Sequence, residues 1–227
     1  AAGGAAAVRA AASNSGTLAA PGGQVVMLAS SLGDAMATVV NQTGVIRAES
    51  AVERDGMIVL SGGANGVTRL AGTLNAAGQA GRTGGTVHVL GDKVELTGTA
   101  RIDASGPAGG GTVLVGGDWQ GKNPDIANAA RTHIGAGAVL LADASGRGDG
   151  GKVVVWADGD TRQLGAISAR GGPQGGNGGM VEVSGKQLLD LRGTIDVAAP
   201  QGRGGKVLLD PQDILINTST QTAPPSN

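Results

Sequence analysis

The sequence predicts an all-β protein, a right-handed parallel β-helix of about seven three-strand coils in which one coil carries an inserted loop. Three observations lead there. A Gly-opened β-like run recurs seven times along 227 residues, a second marker recurs at intervals of 28 residues, and the composition combines 44 glycines with two tryptophans and no Phe or Tyr. A constant period of this size is the signature of one supersecondary unit stacked on itself. A core made only of Val, Leu, Ile and Ala suits a narrow solenoid better than a globular sandwich.

The runs are Gly22-Gly23-Gln24-Val25-Val26-Met27, Gly84-Gly85-Thr86-Val87-His88-Val89, Gly110-Gly111-Thr112-Val113-Leu114-Val115, Gly150-Gly151-Lys152-Val153-Val154-Val155, Gly178-Gly179-Met180-Val181-Glu182-Val183 and Gly204-Gly205-Lys206-Val207-Leu208-Leu209, with a degenerate copy at Asp55-Gly56-Met57-Ile58-Val59-Leu60. Alternation within a strand sends Val25, Ile58, Val87, Val113, Val153, Val181 and Val207 inward. Two residues on, Met27, Leu60, Val89, Val115, Val155, Val183 and Leu209 follow them.

The second marker is an aliphatic residue, a variable one, then usually Ala: Leu18-Ala19-Ala20, Ile46-Arg47-Ala48, Leu74-Asn75-Ala76, Ile102-Asp103-Ala104, Ile167-Ser168-Ala169 and Ile195-Asp196-Val197. Weaker strands such as Lys93-Val94-Glu95-Leu96 and Gln187 to Leu191 complete three strands per coil. Identical segments recurring in one orientation at fixed length favour a parallel β-helix over a meander. Seven coils at about 4.8 Å give a rod roughly 30 to 35 Å long. The Gly pairs are expected to supply corners with φ > 0, and Pro21, Pro107, Pro173 and Pro200 fall in one shared corner. Residues 1–15 read as an Ala-rich cap or linker, 16–217 as the β-helix and 218–227 as a Thr/Ser/Pro linker.

The residue between the inward columns should face outward, yet it reads Val26, Val59, His88, Leu114, Val154, Glu182 and Leu208. A covering loop or a lateral contact surface between neighbouring copies would each account for five apolar residues there. A net charge of −1 without a basic cluster gives no footprint for nucleic acid. No apolar run approaches the roughly 20 residues of a transmembrane helix. With no cysteine, disulfides and thiolate metal sites are excluded, and no cofactor motif emerges.

The period breaks once: Gly111 to Gly151 spans 40 residues, against 26 to 29 in most other coils. Insertions in solenoids form loops, and loops on rigid scaffolds carry binding residues. Trp119, Gln120, Lys122, Asn123, Arg131 and His133 are therefore the candidate ligand-binding set, an aromatic surface with hydrogen-bonding neighbours suited to a sugar ring. The alternative has Trp119 folded back over its coil. Asn123 with Pro124 would open a single helical turn.

Other motifs carry less. In Gly146-Arg147-Gly148-Asp149-Gly150-Gly151-Lys152 the phosphate-loop pattern lacks its Ser/Thr and runs into a strand rather than a helix. Arg147, Gly148 and Asp149 form the tripeptide by which some adhesive proteins engage integrins, so they are retained as a second candidate site. Calcium-roll repeats are absent. Asp103, Asp143 and Asp196 occupy similar positions in their coils, where turn capping is a simpler role than polysaccharide-lyase catalysis.

The runs Gly116-Gly117-Asp118-Trp119-Gln120-Gly121-Lys122, Gly148-Asp149-Gly150-Gly151-Lys152-Val153-Val154-Val155-Trp156-Ala157-Asp158, Ile167-Ser168-Ala169-Arg170-Gly171-Gly172 and Gly204 to Ile216 resemble the filamentous haemagglutinin-like family of two-partner secretion exoproteins. The resemblance implies a non-enzymatic β-helical shaft downstream of a secretion domain that is not visible in this sequence. It further implies export through an outer-membrane β-barrel partner, an extracellular or cell-surface location, and adhesion or biofilm contacts with surface glycans or neighbouring copies. The rival readings are a carbohydrate-active β-helix enzyme, a polysaccharide lyase or hydrolase, and a self-associating filament subunit.

Overall fold

The computed structural model describes residues 11–29, 40–49, 56–79 and 81–210; the linker expected at 218–227 lies outside them. Three parallel sheets of seven strands each form a three-sided β-helix. The first sheet stacks Ala12–Asn14, Val40–Gln42, Val67–Leu70, Lys93–Leu96, Arg131–Ile134, Asp160–Gln163 and Leu188–Leu191. The second stacks Thr17–Ala19, Val45–Arg47, Thr73–Asn75, Arg101–Asp103, Val139–Leu141, Ala166–Ser168 and Thr194–Asp196. The third stacks Gln24–Leu28, Met57–Ser61, Thr86–Leu90, Thr112–Val115, Lys152–Ala157, Met180–Gly185 and Lys206–Leu209. The first rung begins at Ala12, inside the stretch read as a cap, where the Asn14 amide donates to Gln42 Oε1 at 2.9 Å.

The predicted columns stand in register: Val113 pairs with Val87 and Val153, and Val115 with Val89 and Val155. Both inward columns from Ile58 to Val183 have no exposed surface. The last pair departs from expectation, with Val207 44% and Leu209 40% exposed. Among the described residues, Lys206–Leu209 pairs on one side only, with Met180–Gly185. On the second sheet Ile46, Leu74, Ile102, Leu140 and Ile167 are buried, each followed by a buried Ala at the corner.

That corner explains the Gly pair, and by a different cause than positive φ. Among the pair glycines only Gly22 is left-handed, with φ 66. Elsewhere the demand is close approach. The Gly111 N–H donates to the Ala104 carbonyl of its own coil at 2.7 Å, and Gly151 and Gly179 repeat this bond to Ala142 and Ala169. A Cβ on Gly111 would collide with the Gly85 carbonyl below it, and one on Gly110 with the Ala142 carbonyl above. Stacked backbone therefore fills the space on both sides of the pair, which only glycine tolerates. Pro21, Pro107, Pro173 and Pro200 all lie in this same corner, between the second and third sheets.

The turn from the third sheet to the first is satisfied differently. Thr68, Thr132 and Thr161 point inward, and their hydroxyls donate to the carbonyls of Leu90, Trp156 and Ser184 at 2.6 to 2.7 Å. Each gives a carbonyl at the turn a hydrogen bond that a Val of the same shape would remove.

Candidate functional site

Two outer faces meet at the long coil. On the third sheet, the outward residues Leu114 and Val154 are 2% and 0% exposed, because the chain from Gly117 to Ala129 lies across them. With Trp156, 2% exposed, they form a second apolar cluster against which Trp119 and Ile126 pack. Trp119 thus folds back onto its coil. Gly121 runs flat on the Trp156 ring with φ 61, where any Cβ would enter the indole.

Polar contacts fix this strap at both ends. Asp118 Oδ1 accepts from the Trp119 N–H at 2.7 Å and pairs with Lys152 Nζ at 2.5 Å, while its Oδ2 accepts from the Asn123 amide at 2.8 Å. Burial pushes the Asp118 carboxyl up, but the Lys152 ammonium, the Asn123 amide and the Trp119 N–H together outweigh it and leave it at about 2. Glu182, outward on the third sheet with no exposed surface, accepts the Gln120 N–H at 2.8 Å through Oε2 and the Ser184 hydroxyl at 3.0 Å through Oε1. Burial raises its carboxyl above the ordinary range despite those bonds. Gln120 sits in the left-handed region at φ 55, and its bond to Glu182 holds it there.

At the far end Asp158 binds the Trp156 indole N–H at 3.2 Å and the Lys186 ammonium at 2.7 Å, with Lys186 5.6 Å from the Trp156 ring. Burial pushes the Asp158 carboxyl up, but Lys186, Trp156 and Asn128 hold it below its ordinary value. His88, level with Leu114 in the outward column and near Asp118 and Lys152, is held below its usual value by burial, partly opposed by Asp118.

The candidate ligand set therefore divides. Trp119, Gln120 and Asn123 belong to the strap and are engaged in fixing it; Lys122 Nζ donates to Gln120 Oε1 at 2.8 Å. Asn123 caps one isolated turn: its Oδ1 accepts the Asp125 N–H at 3.0 Å and its carbonyl the Ile126 N–H at 3.3 Å, while the 3-10 turn among the described residues is Trp119–Gly121, capped by Asp118. Arg131 and His133 lie on the first sheet instead, with their outer neighbours in strict register. His133 pairs with Arg162, which pairs with Asp190; Arg131 pairs with Asp160, which pairs with Leu188. These six residues surround a shallow depression of about 260 Å³. A second, of about 270 Å³, adjoins it at Asp158, Gly159 and Gln187. Arg131 lies 3.4 Å from Asp160, and Asp190 takes Arg162 at 2.9 Å and Arg192 at 2.7 Å. Hydrogen bonding from Arg162 leads the effects that hold the Asp190 carboxyl below its ordinary value.

The integrin-type tripeptide lies in the corner between the second and third sheets, with Arg147 and Asp149 exposed. Asp149 Oδ1 accepts the Asn177 N–H at 2.6 Å, and Gly148 abuts the Ala108 carbonyl. The aspartates of the second sheet cap turns: Asp103 and Asp196 accept the N–H groups of Ser105 and Ala198, two residues on. Asp143 departs from the expected alignment. The residue level with Asp103 is Leu141, and Asp143 instead accepts from the Ser168 hydroxyl and the Arg170 N–H. Sequence reasoning did not single out Trp156, Glu182 or the Asp118–Lys152 pair. Among the described residues no group of three or more His, Asp or Glu is placed to hold a metal, and no helix is long and apolar enough to cross a membrane.

No protein-family model matches the chain, and no curated protein does. Among solved structures it is similar to the HMW1 secretion domain from Haemophilus influenzae, with a TM-score of 0.70 and 31% identity over 87% of this chain. The chain spans about half of that structure, 49% of its length. The sequence placed this segment downstream of a secretion domain, whereas the likeness is to a secretion domain itself. The chain is a β-helical repeat segment similar to that secretion domain; the β-helix and the relation to two-partner secretion are what its resemblance to the filamentous haemagglutinin-like exoproteins implied.

Proposed function

We propose that this chain is a stretch of the secretion and display region of a large bacterial exoprotein. It is exported through an outer-membrane β-barrel partner and serves outside the cell as a rigid shaft supporting adhesion or biofilm contact. The observation that carries this reading is the likeness to the HMW1 secretion domain over 87% of the chain. The physical form supports it: apart from the strap, which reaches Glu182 two coils on, the strands pair with those of the adjacent coils, so a stacked rod extends without needing a tertiary fold beyond its own period. A shaft rather than an enzyme is favoured by the occupied carboxylates, since Asp103, Asp143 and Asp196 are bonded to backbone N–H groups.

The test is an in-frame deletion of coils 84–210 from the full exoprotein in its own host. Loss of the protein from the medium and cell surface, with loss of adherence, is expected. Unchanged export and adherence would overturn the proposal. In parallel, the purified chain incubated with acidic polysaccharides is expected to generate no new reducing or unsaturated ends, and their appearance would favour the lyase or hydrolase reading.

A further inference from the structure

We infer that the depression on the outer face of the first sheet is a binding site for a neutral oligosaccharide. Its border holds two guanidiniums, Arg131 and Arg162, and two carboxylates, Asp160 and Asp190, so the fixed charges cancel. A strongly anionic or cationic ligand would gain attraction from one pair and equal repulsion from the other. A sugar hydroxyl both donates and accepts, and here donors and acceptors alternate from rung to rung as Arg131, Asp160 and as Arg162, Asp190. The rungs repeat at about 4.8 Å, and each of the two rows carries one guanidinium followed by one carboxylate, so a short chain lying along the rod axis would meet a donor and then an acceptor in either row.

The remaining two residues supply what the charged ones lack. Leu188 is 57% exposed at the end of the Arg131 row and offers an apolar surface to the C–H face of a ring. His133 stands half-buried level with Arg162. It provides one neutral donor and one acceptor when uncharged. Arg131 and His133 come from the candidate set read in the sequence; the four others join them only through the fold. The site does not rest on the export reading, since it belongs to the folded chain whatever carries it outside the cell.

The test is titration of the purified chain with a panel of neutral oligosaccharides (cellohexaose, maltohexaose and mannohexaose) and with oligogalacturonate as the acidic comparison, followed by the His133 imidazole NMR signals. At least one neutral hexasaccharide is expected to shift those signals saturably, with oligogalacturonate weaker. Arg162→Ala and Leu188→Glu should each weaken the binding tenfold or more, while Arg47→Ala on the second sheet leaves it unchanged. Absence of any shift at millimolar sugar, tighter binding of oligogalacturonate, or equal binding by Arg162→Ala and Leu188→Glu would each overturn the proposal. Because export is not read in this assay, its failure leaves the shaft proposal standing, and the reverse also holds.

Discussion

The third and first sheets follow the same inward-outward alternation, yet their outer faces at the long coil differ in kind. On the third sheet Leu114, Val154 and Glu182 point away from the central core and are nonetheless buried, roofed by Trp119 and Ile126. On the first sheet Arg131, Arg162 and Asp160 point away from the same core and remain 69%, 54% and 42% exposed at the side chain. The difference is the strap. A β-helix face is by default an open ladder, and an insertion of sufficient length turns it into a second, small core. The cover also removes Val154 from the lateral surface on which neighbouring copies would have met, since a residue with no exposed area offers a partner nothing.

If the covered face is a true core, its residues should behave as core residues. Trp156→Ala should cost about 3 to 5 kcal/mol in urea unfolding, because it removes the largest buried side chain and leaves a cavity under the strap. A loss below about 1 kcal/mol would show that the strap rests loosely. Next in size is Glu182→Ala, expected to cost about 1 to 3 kcal/mol by leaving the Gln120 N–H and the Ser184 hydroxyl without their acceptor. Glu182→Gln, which keeps an acceptor, should recover most of that loss in the same measurement.

Acid titration separates the two carboxylates under the strap. Asp118 has its folded value depressed to about 2, so its stabilising contribution is complete above its ordinary value of 3.8 and is lost as pH falls through about 2. Glu182 is raised, so burial penalises its ionised form, and lowering the pH into its raised range makes folding more favourable. Stability followed from pH 7 downward should therefore hold or rise slightly before it drops, and Asp118→Asn should flatten the drop near pH 2 to 3. The smallest effect belongs to the open face. Arg162→Ala should change stability by about 0 to 1 kcal/mol, the ordinary range for an exposed ion pair; a larger loss would mean that the first-sheet ladder holds the rod together.

The repeating strands were legible in the sequence because their information is local: Val113 and Val115 declare their face by alternation, and Ala104 and Gly111 declare the corner by spacing. The physical reason for the glycines was not legible, since the carbonyl that excludes a Cβ from Gly111 belongs to Gly85 in another coil. The strap was legible as an insertion, and a covering loop with Trp119 folded back over its coil was one of the two readings open to it; what fastens it was not legible. Its decisive contact joins Gln120 to Glu182, 62 residues apart, and no local pattern marks a Glu at an outward position as buried. Arg131 and His133 were read as part of the loop because they follow it in sequence. The register with Asp160, Arg162 and Asp190 puts them in a sheet instead.

The roof itself can be tested most directly by acrylamide quenching of a Trp119→Phe variant, in which Trp156 is the sole tryptophan. With Trp156 2% exposed beneath the strap, its emission should be blue-shifted and nearly insensitive to quencher until the protein unfolds. Emission at the wavelength of free indole, quenched as readily as in the unfolded chain, would contradict a closed second core on the third sheet.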